Sequence, residues 1–258
     1  MTAAVPLSQA PGVLYLVATP IGNLEDITLR ALRILRECDV VAAEDTRHTG
    51  QLLKHYAIQK PLISCFQFNE ARRSAEINQR LAGGQKVALV TDAGSPGISD
   101  PGERIVRTAV AGGFAVQPVA GACALVAALT ASGLPAAEFH FAGFLPHKSG
   151  QRKKRLESFR SIPGTLILYE SPYRIEKLLG ELTQAYPERE VVLARELTKK
   201  FEEFLRGKPA ALLEICRKRT LKGEFVVLIS PPDRDCIALE DSAPNRESPG
   251  QGIEEDPT

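Results

Sequence analysis

Residues 91–102 read Thr-Asp-Ala-Gly-Ser-Pro-Gly-Ile-Ser-Asp-Pro-Gly and follow an apolar run that ends at Val90. Their types suit the holding of a small molecule by bare backbone. Gly94, Gly97 and Gly102 open backbone conformations closed to other residues and place no side chain in a ligand's way. Pro96 and Pro101 fix their own φ angles and stiffen the segment. A rigid loop at the carboxyl end of a parallel strand is where open α/β sheets bind small molecules. The competing reading is a tight strand-to-helix turn, but twelve residues exceed what such a turn needs, which favours a ligand loop. The stretch is neither a G-x-x-x-x-G-K-[ST] phosphate loop nor a Rossmann G-x-G-x-x-G.

Other segments have chemistry-bearing side chains at similar places. Residues 19–26 (TPIGNLED) and 119–124 (VAGACA) also follow apolar runs. Small residues at a helix start let backbone N–H groups and the helix dipole meet a carboxylate, or serve close helix–sheet packing. In Glu44-Asp45-Thr46-Arg47-His48-Thr49, Asp45 or Thr46 can cap a helix, while Arg47 and His48 on its first turn suit an anionic substrate. Lys148, Arg152, Lys153, Lys154 and Arg155 form the densest basic cluster, either a solvated helix face or a phosphate-contacting surface. Phe139, Phe141, Phe144, Phe159 and Tyr169 lie nearby and can stack on bases or fill a core. Residues 170–174 (ESPYR) and 195–203 (RELTKKFEE) supply paired charges at two more strand ends, as site residues or as a cap and surface ion pairs.

Elements that could position these residues are legible in the apolar spacing. Strands are expected at 13–18, 39–43, 62–65, 86–90 and 114–118, alternating with helices at 28–37, 46–55, 70–82, 103–112 and 121–132. Such β-α repetition implies a mainly parallel sheet covered on both faces. After Gly133-Leu134-Pro135 the pattern changes: strands at 138–142, 164–169, 190–194, 201–206 and 223–229, helices at 149–160, 173–185 and 207–219. The expected fold is therefore α/β with two αβα domains, residues 13–134 mainly parallel and residues 135–230 with a mixed sheet. A flexible N-terminus (1–12) and an acidic disordered tail (231–258) flank them.

Composition narrows the class. Of 258 residues, 44% are hydrophobic and 24% charged, as in an ordinary soluble globular protein. No apolar run is long enough to cross a bilayer, and Met1–Pro11 lacks the basic start of a secretory signal. Five dispersed cysteines (Cys38, Cys65, Cys123, Cys216, Cys236) and four scattered histidines point to reduced thiols in a cytoplasmic protein without a metal site. The net charge of +1 hides an asymmetry: the tail carries −6, leaving +7 on residues 1–230. A basic body fits an anionic partner.

Seven motifs, ATPIGNLED, AEDTRHT, TDAGSPGISDPG, GFLPHKSGQRKKR, YESPYRI, RELTKKFEE and GEFVVLI, agree in content and order with a known group. Across residues 13–230 the chain resembles the bacterial 16S ribosomal RNA ribose 2′-O-methyltransferases of the tetrapyrrole-methylase-like superfamily. The resemblance implies S-adenosylmethionine held between two α/β domains, a homodimer, and methylation of a cytidine ribose in the decoding region of the small-subunit RNA. From the first domain it assigns the cofactor to Pro20, Thr91, Asp92, Ala93, Gly94, Ser95 and Pro96, with Ala120, Gly121, Ala122 and Ala124. From the second domain it assigns Ala142, Phe144, Leu145, Tyr169, Ala194, Gly223, Glu224 and Phe225. Similar proteins read Pro-Gly-Pro/Ala-Ser-Ala where this chain has Ala120-Gly121-Ala122-Cys123-Ala124, so a side-chain contact from residue 123 is not carried over.

Methyl transfer from a sulfonium to a ribose hydroxyl needs in-line alignment, a fairly dry cleft, and a base or cations for the developing alkoxide. Glu196 and Glu170 are the candidate bases, with Arg47, Arg195, Lys199 and Lys200 as the cations and Asp92 assigned to the cofactor's polar groups. RNA contacts are expected from Arg47, His48, Lys148, Arg152, Lys153, Lys154 and Arg155. A tetrapyrrole methyltransferase and a noncatalytic ribosome-assembly factor are the alternatives. The first predicts little salt dependence, the second RNA binding without turnover.

Overall fold

A computed structural model describes residues 11–219 and 221–232; nearly all of the expected N-terminal arm and acidic tail, with Cys236, lies outside them. The first half alternates β1 (Val13–Val17), α1 (Leu29–Glu37), β2 (Val40–Ala43), α2 (Thr46–His55), β3 (Leu62–Ser64) and α3 (Glu70–Ala82). It continues with β4 (Val87–Val90), α4 (Glu103–Ala111), β5 (Ala115–Val119) and α5 (Ala124–Ser132). The strands form one parallel sheet in the order β3-β2-β4-β1-β5. β2 and β4 are buried along their whole length, which is why they read as unbroken apolar runs. Ile34 and Leu35 of α1 and Leu53 of α2 pack on one face, Ile77 and Leu81 of α3 and Ile105 of α4 on the other.

The second half holds β6 (Phe139–Phe144), α6 (Ser149–Glu157), β7 (Thr165–Glu170), α7 (Ile175–Ala185), β8 (Val191–Arg195), β9 (Glu203–Gly207), α8 (Pro209–Lys218) and β10 (Phe225–Ile229). Its sheet runs β6-β7-β10-β8-β9, parallel only between β6 and β7, and is thus mixed. Leu156, Leu178 and Leu212 bring α6, α7 and α8 onto one face. The opposite face is covered by Leu125, Ala128 and Leu129 of α5, which meet Ile167, Val192 and Val226.

α5 thus follows a strand of the first sheet but serves as a layer of the second, and the second half also caps both its ends. The Tyr169 hydroxyl accepts a hydrogen bond from the Leu125 N–H (3.2 Å). Arg206 of β9 donates to the carbonyls of Ser132 (3.0 Å) and Ala131 (2.7 Å), where the helix dipole favours a cation.

The elements depart from the expected ranges where tertiary contacts override local pattern. The helix expected from residue 121 begins at Ala124 because residues 120–123 cross the end of β1. A Cβ on Gly121 would lie 2.8 Å from the Ala18 Cβ. A short 3-10 turn at Leu24–Asp26, capped by Asn23, gave no apolar signal. At the start of α5, Cys123 holds the extended backbone of a cap (φ −148°, ψ 117°) but makes no side-chain capping bond. A serine hydroxyl there can accept from the Val126 N–H. Cys123→Ser is therefore expected to stabilise the cofactor-free protein by about 1 kcal/mol, read as a raised thermal midpoint. An unchanged or lower midpoint would show that the thiol's packing outweighs the cap.

Candidate active site

The carboxyl ends of β1, β4 and β5 lie side by side, and their loops are stitched into one wall. Thr19 and Gly94 exchange a reciprocal pair of backbone hydrogen bonds (2.9 and 3.0 Å). The buried Thr19 hydroxyl donates to the Thr91 carbonyl (3.1 Å), and the Ser95 hydroxyl to the Ala122 carbonyl (3.3 Å). Gly94 has φ +83°, a conformation that glycine adopts without strain. The Asp92 carboxylate accepts from the Asp45 N–H (3.1 Å) and so ties the β2 loop to the same wall.

The facing wall comes from the mixed sheet. Tyr169, Ala194, Phe225 and Val226 lie on its strands, and the loop between β8 and β9 contributes Leu197 and Lys199. That loop is strained: Glu196 and Thr198 have φ values of +50° and +64°. It is locked where Lys199 Nζ donates to Glu196 Oε1 (2.9 Å) and Glu224 Oε2 (3.0 Å). Gly22 and Gly223 allow the close approach; a Cβ on Gly22 would sit 2.5 Å from Lys199 Cγ, and one on Gly223 2.3 Å from Glu196. Between the walls lies a cavity of about 310 Å³, within the range of small-molecule sites.

The cavity lining is part apolar and part acidic. Ile21, Leu197, Phe225 and Val226 form the apolar part, and Asp100, Glu170 and Glu224 are its acidic residues. Burial, with the charges of Glu44, Asp92 and Glu224, pushes the Asp100 carboxyl up to about 6. Burial also raises Glu44, aided by the Asp92 charge against the Asp92 N–H. Glu170 is raised by burial although the Ser171 N–H (2.8 Å) and Arg174 (3.3 Å) hold its charge. Burial works to raise Glu196, but the hydrogen bonds from Lys199 and the Glu224 N–H outweigh it and hold it low.

Of the residues expected to bind cofactor, Ala93, Gly94, Ser95, Ala124, Phe144, Tyr169, Ala194, Glu224 and Phe225 line this cavity. Pro20, Thr91, Asp92, Pro96, residues 120–122, Ala142, Leu145 and Gly223 are not among the lining residues; Thr91 and Asp92 brace the loops instead. Of the expected catalytic groups, Glu170 and Lys199 line it. Glu196 does not, and is locked to Lys199; Arg195 pairs with Glu203 (3.1 Å). Arg47 pairs with Asp45 on the outer surface, beside exposed His48, and Lys200 lies over the Phe201 ring. Lys148, Lys153, Lys154 and Arg155 are exposed on and before α6.

Arg152 corrects the sequence expectation. It is 2% exposed and forms a fork with Glu181 (2.5 and 2.8 Å), so it presents no charge to an RNA. Its other nitrogen donates to the Pro146 and His147 carbonyls, while Arg174 donates to the Leu145 carbonyl (2.8 Å). Two arginines thus clamp the turn that follows Phe144. The partner Glu181 lies 29 residues away, outside any local pattern. Asp100, Ser99, Ile98 and Leu197 also line the cavity, without a role expected from the sequence. The signal for the first three was present, since the loop singled out at the start extends to Gly102.

Fold and site together define a two-domain α/β protein with a small-molecule cleft between a parallel and a mixed sheet. The family model of tetrapyrrole (corrin/porphyrin) methylases matches residues 13–213. The chain belongs to that family. It is 48% identical over 218 residues to ribosomal RNA small subunit methyltransferase I of Halalkalibacterium halodurans, covering 84% of this chain and 75% of the relative. The protein of the same name from Pseudomonas aeruginosa is 49% identical over 226 residues, covering 86% and 80%. Among solved structures, uroporphyrin-III C-methyl transferase from Thermus thermophilus complexed with S-adenyl homocysteine has the same fold. Its TM-score is 0.60 at 21% identity, with 85% of this chain and 97% of that one covered.

Arg152→Ala would leave the Glu181 charge buried without its partner. Removing one member of such a pair costs about 3–5 kcal/mol, expected as a lowered urea midpoint. A loss below about 1 kcal/mol would show that solvent reaches the clamp.

Proposed function

We propose that this chain is an S-adenosylmethionine-dependent methyltransferase acting on the ribose 2′-hydroxyl of a cytidine in small-subunit ribosomal RNA. The observation that carries the reading is the cleft itself: apolar and acidic residues line it inside, and exposed cations stand outside. The residues fit the cofactor. Gly94 leaves room beside Ile21, and the carboxylates suit a ligand with a sulfonium and an ammonium group. Ala93, Gly94, Ser95, Ala124, Tyr169, Ala194 and Phe225 would hold it. The cofactor supplies an electrophilic methyl group; the chain's own residues align the hydroxyl, exclude water and manage the proton.

The same acidic residues speak against a tetrapyrrole substrate, whose peripheral carboxylates they would repel. RNA differs because its charge is on phosphates, which can stay outside while one sugar enters. Lys148, Lys153 and Lys154 stand there, a few residues beyond Phe144 of the cavity, and Arg155 lies over the Phe159 ring (4.5 Å). Arg47 and His48, exposed at the start of α2, belong to the same proposed surface. Among the described residues no helix is long and apolar enough to cross a membrane. The reading places the protein in the cytoplasm with the ribosome, as a homodimer. Support for self-association is β5, an edge strand with Ala115, Gln117 and Pro118 exposed.

The test is incubation with methyl-labelled S-adenosylmethionine and small ribosomal subunits from cells lacking this gene, followed by nuclease mapping. The expected result is label on one cytidine ribose, with subunit binding that falls steeply as salt rises. Intact cofactor binding without label would favour a tetrapyrrole substrate. Absent cofactor binding would favour an assembly factor that holds RNA without turnover.

A further inference from the structure

We propose that Asp100 is the general base that takes the proton from the substrate hydroxyl. The inference rests on the methyltransferase reading above and names a group within that site. It begins from the acidic residues that line the cavity. Glu170 is held by Arg174 and the Ser171 N–H, and Glu224 by Lys199. Asp100 has neither a hydrogen bond nor an ion pair among the described residues. A carboxylate already shared with a cation is a weaker base, so the unpartnered one is the better proton acceptor.

Its surroundings increase that basicity. Glu44 at the end of β2, Asp92 in the same loop and Glu224 ahead of β10 all act on it with like charge. Of the other titratable groups facing the cavity, the Tyr169 phenol is itself raised by burial, and Lys199 is committed to Glu196 and Glu224. Burial and these three carboxylates raise Asp100 to about 6, suited to a base that must be ionised at neutral pH yet able to hold a proton.

The backbone on both sides of Asp100 is fixed although its side chain is free. Glu70 Oε1 accepts from the Gly102 and Arg104 N–H groups (3.0 and 3.1 Å), and the Gly97 N–H donates to the Pro101 carbonyl (3.2 Å). Ser99, at φ +63°, presses on the irregularity in β6, where a Cβ on Gly143 would meet its Oγ at 2.8 Å. A rigid loop that holds an uncompensated carboxylate in a cleft is costly for stability and useful for chemistry.

In the step itself, Asp100 accepts the 2′-hydroxyl proton while an oxygen lone pair forms the bond to the methyl carbon. The carbon–sulfur bond breaks with its electron pair kept on sulfur, which becomes a neutral thioether. The proton then passes from Asp100 to water.

The experiment compares wild type with Asp100→Asn in single turnovers on small subunits at saturating cofactor across the pH range, with S-adenosylhomocysteine affinity measured by calorimetry. Wild type is expected to show a rate that rises with pH to an inflection at or below about 6, since a cationic cofactor favours the carboxylate. Asp100→Asn is expected to lose about 100-fold or more in rate and to lose the inflection, with product affinity changed less than about threefold. A second readout needs no turnover. A raised folded-state pKa means stability that is full below the unfolded value of about 4 and is lost as pH rises through the folded one. Asp100→Asn should therefore melt above wild type near about pH 8, with the gap closing toward about pH 4. A rate within about fivefold of wild type, or a lower midpoint near about pH 8, would overturn the assignment. So would a product affinity weakened well beyond that limit of about threefold, which would make Asp100 a cofactor clasp. Unlabelled subunits with wild type would instead overturn the methyltransferase reading, and the base with it.

Discussion

The constraint on which the rest of this structure depends is the docking of α5. That helix follows β5 of the parallel sheet, yet its apolar side faces Ile167, Val192 and Val226 of the mixed sheet. Tyr169 binds its first turn and Arg206 its last carbonyls. A helix held this way belongs to the mixed sheet, and the loop that leads into it from β5 ties that sheet to the parallel one. The helix start also sits beside the stitched loops, through Ser95 and the Ala122 carbonyl. One element thus sets the position of both halves of a cavity whose lining comes from segments more than a hundred residues apart.

Electrostatics divides the molecule along the same line. Acidic side chains gather at and behind the cavity lining: burial raises Asp100 and Glu170, which line it, and Glu44, which stands beside Asp92. The nearby cations are mostly engaged: Arg152 with Glu181, Arg174 with Glu170, Lys199 with Glu196 and Glu224. Lys148, Lys153, Lys154 and Arg155 remain at the surface. Such a layout separates two tasks, because a cationic small molecule is favoured inside and a polyanion outside. It also explains why net charge alone, +1 for the chain, says so little about the partner.

Much of the fold was legible because its strands and helices have clean periods. β2 and β4 are apolar throughout, and α1 alternates faces at helical spacing, so their limits were set by the chain itself. The mixed sheet was legible in kind. The use of α5 as its second layer was not, since no local pattern says which sheet a helix will cover. The site was half legible for a related reason. Gly94 and the loop around it announce themselves by composition, whereas the fate of a charged residue depends on a distant partner. Arg152 looked like one of five exposed cations until Glu181 took it into the core. Glu196 looked like a free base until Lys199 closed on it. Asp100 lies within the loop that composition singles out, but nothing in its residue type separates a cavity carboxylate from a turn-forming aspartate.

The clamped turn after β6 shows how one fold can host different substrates. The wall formed by the β1, β4 and β5 loops is mostly backbone and small side chains, so its shape depends on glycine geometry. The other wall ends in a turn whose carbonyls are gripped by Arg152 and Arg174, each anchored to a buried carboxylate. Buried ion pairs are poor sources of stability but good at selecting one arrangement, since a shifted turn would leave a charge unpaired. They hold Phe144 at the mouth of the cavity and start α6 with its exposed cations facing water. Changes in the length or charge of this turn would alter what approaches the cofactor without disturbing how the cofactor is held. On the function proposed above, residues 144–155 and 170–174 would govern substrate choice, and residues 91–102 would hold the cofactor.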